Sequence, residues 1–403
     1  MMHRSRISLS LALVLSSVGA QAEWSNDWVR VSGFGTVAVT KNTSDNTYYR
    51  LGLLQPSGAR NGFDGGALNK VGVQTTLTAT PWLSGTAQVV SLRQYDDGYD
   101  PVFDWAFVKV KPINSVSIRM GRLVLPGFMV SESRNVGYVN TMVTPPIDAY
   151  NLLPLTKFDG MDLNWRINAG SVAINLTPYV GRRREPTSGG TVLQMDNLRG
   201  LNATAEWESW TFRAGMTKAE LQSPNETATA LWAGLRSTGS PTAIAIAEEY
   251  EIQHKDASFS GIGVQYDDGR ILAASEYVQR KTKSYIPDAT AWYVMGGYRL
   301  KTFTPYAAYS RLKNDSPTSD SRGAAFGPTI QGQLNTVLSS LAADQKTLSL
   351  GVRWDFYKNT ALKFQYDHVK INNNMGAAYK EAVNTQGPSP RLNLYTLALD
   401  FVF

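Results

Sequence analysis

The chain has 403 residues, of which 43% are hydrophobic and 18% charged, and its formal charge is +6 at pH 7. A positive charge this small excludes the strongly basic surface that nucleic-acid binding requires. The sequence contains no cysteine, so disulfides and thiolate metal sites are excluded as well.

The first 22 residues have the layout of a secretory signal peptide. Basic residues at the start precede a short apolar core over residues 9–18 and a small-x-small cleavage site over residues 20–22. The apolar core is too short to span a membrane as a helix, and no stop-transfer pattern follows it. We therefore expect cleavage after residue 22, with residues 23–403 forming a single folded unit.

Beyond that segment, strand-like stretches are joined alternately by short turns and by longer loops. Turn residues such as Asp267-Asp268-Gly269 mark several of the short connections. The predicted strands are Trp28–Thr40, Lys70–Thr80, Leu83–Tyr95, Pro101–Lys111, Ser115–Gly121, Asp159–Asn168, Ser171–Arg182, Arg199–Trp207, Trp210–Leu221, Asp256–Asp267, Arg270–Lys283, Asp288–Leu300, Phe303–Lys313, Gln345–Phe356, Thr360–Lys370 and Arg391–Phe403.

Two regions leave alternatives open. The stretches 83–95 and 101–111 show no clean alternation, which indicates either β-bulges or contact with another subunit. Apolar residues in Asn225–Ser237 recur at helical spacing, and an alternating Ala-Ile run over 243–246 follows. We interpret the first segment as a short helix within a loop; an extra hairpin there would raise the strand count from about sixteen to about eighteen.

The last predicted strand shows the two-sided pattern most clearly. Tyr395, Phe401 and Phe403 lie on one face, whereas Thr396 and Asp400 lie on the other. A strand with one apolar, aromatic-edged face and one polar face suits a barrel wall between lipid and water. A soluble sandwich would also alternate, but strands of ten or more residues with aromatics near their ends favour the membrane barrel.

The predicted fold class is therefore all-β: a transmembrane antiparallel barrel of about sixteen strands, with eighteen as the alternative. Short turns are expected on the periplasmic rim and long loops on the extracellular side. The first and last strands should pair and close the barrel. A closed barrel pairs its backbone groups internally, so a secreted chain can span a membrane without a long apolar helix.

Several sequence blocks resemble those of Gram-negative outer-membrane porins, and together they cover nearly all of the chain beyond residue 22. The aromatic residues Tyr395, Phe401 and Phe403 resemble the last-strand signal that the barrel-assembly machinery reads. The other blocks are Ser32–Thr36, Met120–Pro126, Ser131–Tyr138, Pro145-Pro146, Tyr266–Gly269, Ser275–Val278, Gly297–Arg299 and Thr304–Tyr306.

This resemblance implies a homotrimer in the outer membrane, in contact with lipid and lipopolysaccharide. Each barrel would hold its own water-filled channel for passive diffusion of small hydrophilic solutes and ions. The third loop would fold into the pore and carry carboxylates that face arginines on the wall. Here Arg122–Phe158 matches that loop by position and offers Glu132 and Asp148, without a dense acidic cluster.

The length and composition of this third loop support an inward course independently. A connection of this length is usually functional or disordered. Its apolar residues allow it to pack, and Pro126, Pro145 and Pro146 stiffen it. We therefore expect it to fold against the inner wall, with Glu132 and Asp148 opposite basic side chains.

Charged residues at inward positions are the candidate functional set. Opposed charges create a transverse field in which polar solutes can orient and cross. The alternative for any one of them is that it merely solvates a wide lumen, and Arg119 and Arg122 could instead anchor the third loop. The predicted pore and constriction residues are Arg30, Arg119, Arg122, Glu132, Asp148, Asp162, Arg166, Arg213, Glu276, Arg299, Arg353 and Lys363.

Other classes of function find little support in the sequence. His254 and His368 are the histidines outside the predicted signal, and neither lies beside a nucleophile in the pattern of a hydrolase. We expect no enzyme activity and no cofactor. The acidic residues of 96–104 could bind Ca²⁺, although such clusters are more often solvated loops. A substrate-specific channel, or a barrel whose loops act as an adhesin or receptor, remains the alternative to passive diffusion.

Overall fold

The computed structural model describes residues 24–44, 47–52, 55–59, 61–187, 192–223, 225–372, 379–381 and 391–403. The predicted signal peptide lies outside these residues. Sixteen long antiparallel strands form a closed ring. They are β1 (Val29–Asn42), β2 (Lys70–Thr80), β3 (Leu83–Leu92), β4 (Val102–Ile113), β5 (Val116–Val124), β6 (Lys157–Ala169), β7 (Val172–Pro186), β8 (Val192–Trp207), β9 (Trp210–Gln222), β10 (Lys255–Asp267), β11 (Ile271–Thr282), β12 (Ala289–Tyr298), β13 (Phe303–Asn314), β14 (Gln345–Tyr357), β15 (Thr360–Ile371) and β16 (Arg391–Val402).

Pairing between the first and last strands closes the ring, as the sequence predicts. In register, Gly35 of β1 lies opposite Phe401 of β16. Beyond the strand, the amide of Gly33 donates to the carbonyl of Phe403 at 2.7 Å. Short strands at Trp24–Ser25 and Gly62–Asp64 extend the pairing of β1. A separate two-stranded sheet pairs Thr47–Tyr49 with Tyr379–Glu381.

The two ends of the barrel differ in how they connect the strands. At one end, here called the turn rim, a tight turn joins each even-numbered strand from β2 to β14 to the strand that follows it. Longer connections leave the other end, the loop rim. The chain enters β1 and leaves β16 at the turn rim.

The pleat separates an apolar outer face from a more polar inner face, as expected for each clearly alternating strand. In β16, Tyr395 and Leu397 are 41% and 44% exposed, whereas Thr396 and Asp400 are 3% and 1% exposed. The register of β3 against β4 shifts between Gln88 and Val89. This irregularity is the bulge that obscured the alternation in that part of the sequence.

Helices occur in the connections and not in the wall. The helices are α1 (Ile147–Tyr150), α2 (Glu226–Ser237), α3 (Pro241–Tyr250) and α4 (Pro328–Ser339), with 3₁₀ turns at Gly137–Val139 and Ser321–Phe326. The predicted helix in 225–237 is confirmed, so the eighteen-strand alternative is wrong. Among the described residues, no helix is long and apolar enough to cross a membrane.

Three of these helices and one 3₁₀ turn pack together at the loop rim. We call α2, α3, Ser321–Phe326 and α4 the helical cap. Its apolar contacts join the core that continues into the barrel through residues such as Leu198 and Leu221. The buried apolar side chains of the cap are Ala228, Leu231, Trp232, Leu235, Ala243, Ile246, Ala247, Leu334, Val337 and Leu338.

An ion-pair network fastens the parts of the helical cap to one another. Arg322 lies 2.7 Å from Glu249 and 2.5 Å from Asp320, and its guanidinium lies over the ring of Tyr250. The Tyr250 hydroxyl donates to Asp320 at 3.1 Å. Loops that are 70 residues apart in sequence are thereby held as one unit.

Candidate functional site

The connection between β5 and β6, residues 125–156, lies inside the barrel, and we call it the constriction loop. The chain enters it just after Gly121, which has a φ of +137°. A Cβ at this glycine would lie 2.2 Å from the carbonyl oxygen of Ala106, so only glycine fits. Leu125 and Leu155, near the two ends of the loop, are buried in the core under the helical cap.

Glu276 of β11 fixes two separate parts of the constriction loop. Its carboxylate accepts from the amide of Met129 at 2.9 Å and from the hydroxyl of Tyr150 at 2.7 Å. Tyr293 of the neighbouring strand donates to the same carboxylate at 2.9 Å. Glu276 is 1% exposed, so this carboxylate is an anchor for the loop and not a charge in open water.

Two basic side chains hold carbonyl groups at the beginning and end of the loop. Arg213 of β9 donates to the carbonyl of Pro126 and lies 4.0 Å from Glu276. Arg280 of β11 donates to the carbonyl of Leu152 at 3.2 Å. Arg213 is 5% exposed and is therefore also part of the attachment between loop and wall.

Asp148, in α1 of the loop, is fully buried against β13 and β14. It accepts from the hydroxyl of Ser310 at 2.7 Å and from that of Thr347 at 3.1 Å, and also from the side-chain amide of Gln345. A carboxylate buried in this way needs such donors. The structure thus places Asp148 away from the arginines that the sequence pattern set opposite it.

Lys363 of β15 binds the middle of the constriction loop. Its ammonium donates to the carbonyl groups of Gly137 at 2.7 Å, Asn140 at 2.6 Å and Met142 at 3.2 Å. It also pairs with Asp400 of β16 at 2.9 Å. Lys363 is 0% exposed, because the loop covers it completely. This lysine therefore acts as a clamp on three loop carbonyls.

Arg353 of β14 adds a second contact to the same arm of the loop. It donates to the carbonyl of Asn140 at 3.1 Å, and its guanidinium lies 4.8 Å from the ring centre of Tyr138. Asp355 pairs with it at 2.7 Å. The charge of Arg353 is thus balanced on the wall itself.

Arg119 of β5 is the site where the loop and the wall present opposite charges. Its guanidinium pairs with Asp162 of β6 at 2.6 Å and with Glu132 of the loop at 3.1 Å. The side chain of Glu132 is 61% exposed, in contrast to Asp162 at 3%. Of the two loop carboxylates predicted from the sequence, Glu132 is the one that meets a predicted arginine.

The remaining predicted residues lie outside these contacts. Arg30 and Arg166 are exposed on the inward rows of β1 and β6. Arg299 pairs with Asp267 at 2.7 Å beside the turn rim. Arg122 pairs with Asp159 at 2.8 Å, and the register of β5 puts it in the outward row with Met120, away from the constriction loop.

Sequence reasoning missed several residues that hold the loop. Gln365 accepts from the amide of Val143 at 3.0 Å, and Thr36 of β1 donates to Asp400 at 2.5 Å. Tyr150 and Tyr293 were not among the candidates either. The inward parity of Gln365, Thr36 and Tyr293 was readable, but a neutral side chain on a polar face resembles an ordinary solvated wall. Tyr150 lies in the loop itself, where strand parity gives no signal.

Side chains considered for metal binding or hydrolysis contact other groups. Asp97 lies 3.3 Å from Arg93, and Asp104 lies 3.4 Å from Lys157. Within the part of the chain that the structure describes, no group of three acidic, histidine or cysteine side chains could hold a metal ion. His368 contacts the side-chain amide oxygen of Asn393 at 2.8 Å.

Comparison with known proteins identifies the fold. No protein-family model and no curated protein matches the sequence. Solved structures do match over almost the whole chain. The outer membrane channel DcaP of Acinetobacter baumannii has a TM-score of 0.58 at 11% identity, covering 95% of this chain and 100% of its own. The anion-selective porin of Comamonas acidovorans has a TM-score of 0.56 at 12% identity, covering 93% and 99%.

OmpF of Salmonella typhi, solved with daunomycin, is similar to the same degree. Its TM-score is 0.56 at 12% identity, with 94% of this chain and 100% of that chain covered. At this level of identity the likeness concerns the fold. The chain has the fold of Gram-negative outer-membrane porins, a closed antiparallel barrel of sixteen long strands, and the predicted fold class is confirmed.

Proposed function

We propose that the protein is a porin of the Gram-negative outer membrane, which lets small hydrophilic solutes and ions diffuse passively through a water-filled channel. The observation that carries this proposal is the constriction loop. It lies inside a closed barrel and is held there by Glu276 and Lys363 of the wall, and by its own Asp148, which accepts from Ser310 of β13. A barrel that merely displays extracellular loops has no need to fix a loop within its lumen.

The polar attachments of the loop suggest where solutes pass. They reach β4, β5, β9, β11 and β13–β15, whereas the inner faces of β6–β8 carry amide and hydroxyl groups at mid-height. These groups include Asn164, Asn175 and Thr177, which hydrogen-bond to one another. We place the passage between Glu132 and this wall, because neutral hydrogen-bonding groups can replace water around a polar solute.

The outer surface supports a membrane location and a homotrimer. Most exposed aromatic side chains lie on β6–β16, as expected for strands that meet lipid headgroups. The outward rows of β2–β4 are mostly small or aliphatic, apart from Phe103, and suit contact with another copy of the chain. These residues are Val71, Val73, Leu77, Gly85, Ala87, Val89, Ala106 and Val108.

Other partners follow from this placement as parts of the proposal. The lipid-facing strands would contact lipid and lipopolysaccharide, and the barrel-assembly machinery would insert the chain. Tyr395, Phe401 and Phe403 form the outward row of the last strand that this machinery would read. The proposal includes no enzyme activity and no cofactor.

Single-channel recording in planar bilayers tests the function directly. Purified protein should give stepwise conductance that no single solute blocks, together with swelling of liposomes in small sugars. Saturable block by one solute would instead indicate a substrate-specific channel. A correctly assembled barrel that never conducts would refute both channel functions and favour an adhesin or receptor.

A further inference from the structure

Most acidic side chains on the inner wall are neutralised or buried. Asp162 pairs with Arg119, Asp400 with Lys363 and Asp355 with Arg353. Other inner-wall and loop carboxylates are taken up in the same way, by an arginine or by neutral donors. These are Asp267, with Arg299, and Glu276 and Asp148, with hydroxyl and amide groups.

Three basic side chains on the turn-rim side of the inner wall lack such partners among the described residues. Lys109 and Lys111 lie on β4 and Arg166 lies on β6, all on inward rows. No carboxylate comes within ion-pair distance of them among the residues that the structure describes. Arg166 is exposed, and both lysines are partly exposed, so the lumen reaches their charges.

The strand register places these three cations at successive levels on the turn-rim side of the constriction. Lys109 lies opposite Arg119, which lies opposite Asp162 on β6. Neighbouring strands are about 4.8 Å apart, so β4 and β6 are separated by roughly 10 Å. Arg166 also lies four residues nearer to the turn rim than Asp162, which at about 3.3 Å per residue adds roughly 13 Å along the strand between it and Lys109. These separations exceed the screening length of about 8 Å at physiological salt, so a passing ion meets the three charges one after another along this side of the lumen.

The nearby acidic residues do not cancel this patch. Glu206 of β8 is an exposed carboxylate on an inward row close to Arg166. Arg119 carries one charge but faces both Asp162 and Glu132, so this trio leaves one net negative charge. Together with Glu206, that makes two uncompensated carboxylates against the three cations. Cations thus outnumber available carboxylates on the turn-rim side of the constriction.

We propose that Lys109, Lys111 and Arg166 form a basic wall that makes the channel favour small anions over cations. This inference rests on the proposed channel function and adds the class of ion that the channel selects. Fixed charges beside a narrow aqueous path raise the local concentration of counter-ions and lower that of co-ions. Arg119, Arg353 and Lys363 would contribute less, because each already has a carboxylate partner.

The test is the zero-current potential of the reconstituted protein across a potassium chloride gradient. The parent should show a chloride-to-potassium permeability ratio above one. The triple variant Lys109→Gln, Lys111→Gln and Arg166→Gln should lower this ratio to one or below. Because the triple change could impair assembly, Arg166→Gln and Arg166→Glu are measured singly, and the acidic replacement should shift the ratio further.

The matched control removes the same charge from the outer face. Lys281, Lys346 and Lys370 lie on outward rows near the loop rim. Changing all three to Gln should leave the permeability ratio unchanged. An equal shift of the permeability ratio in this control, or a parent that prefers potassium, would overturn the proposed role of the basic wall while leaving the channel function intact. A parent that never conducts would overturn both.

Discussion

Replacing Lys363 with Met should release one arm of the constriction loop while the barrel stays closed. The ammonium has four polar partners, three of them loop carbonyls and the fourth Asp400. Removing it leaves a buried carboxylate without its cation, a change that typically costs about 3–5 kcal/mol. Since about 1.4 kcal/mol is tenfold in an equilibrium constant, the attached arm should lose roughly 100-fold or more in relative population.

Two measurements separate release of the arm from general unfolding. Single-channel recordings of Lys363→Met should show higher and noisier conductance, and a protease should cut within Gly137–Met142 in the assembled barrel. Glu276 and Asp148 still hold the rest of the loop, so the increase should stop short of that of a loop deletion. A conductance trace and cleavage pattern identical to those of the parent would refute the clamp.

Two controls make this result specific. Lys370→Met changes the same residue type on the same strand, but on its exposed outward row, and should alter neither readout. The double variant Lys363→Met with Asp400→Leu removes both buried charges. It should recover part of the lost stability towards urea, because no uncompensated carboxylate remains, while the arm stays released.

Further predictions concern the constriction loop, the pairing of β1 with β16, and the helical cap. Deleting Glu132–Tyr138 should raise conductance and weaken ion selectivity; unchanged values in an assembled barrel would place the constriction elsewhere. Gly35→Ala puts a Cβ 2.3 Å from the ring of Phe401 and should cost about 1–3 kcal/mol in urea unfolding, and Phe401→Ala in the same chain should remove this cost. The Arg322 guanidinium holds the pKa of Asp320 below its ordinary value. The ion pair between Asp320 and Arg322 is therefore complete above about pH 4 and is lost as the pH falls through the folded-state pKa of Asp320. Protease cutting of the helical cap should rise in acid, and Arg322→Gln should abolish this pH dependence.

The wall was predictable because lipid and water impose a period of two on every strand. Lys70–Thr80 was predicted with the bounds that β2 has. The helix α3 was missed, since a short Ala-Ile run alternates like a strand although Pro241 begins a helix there. The helix α4 was missed as well, because the Ser-rich and Gly-rich composition around Pro328–Ser339 indicated only a loop.

The site was predictable in part, because parity indicates which charges point inward but not what covers them. Lys363 and Asp148 were chosen as pore charges, yet the loop buries both. Their burial depends on contacts between positions far apart in sequence, such as Asp148 with Thr347, and no local pattern encodes these. Arg122 was assigned to the pore because Arg119 on the same strand faces inward. The two residues are three positions apart, so their side chains lie on opposite faces of β5.

The hydrogen bond from Thr36 to Asp400 links positions 364 residues apart, on the two strands that close the ring. Asp400 in turn partners Lys363, so the binding surface for the loop arm is completed only when β1 meets β16. Contacts of such long sequence separation form late, after the entropy of closing the chain has been overcome. An open, partly inserted sheet would therefore carry a loose constriction loop. Closure of the barrel and narrowing of its pore should then occur as one cooperative step of biogenesis.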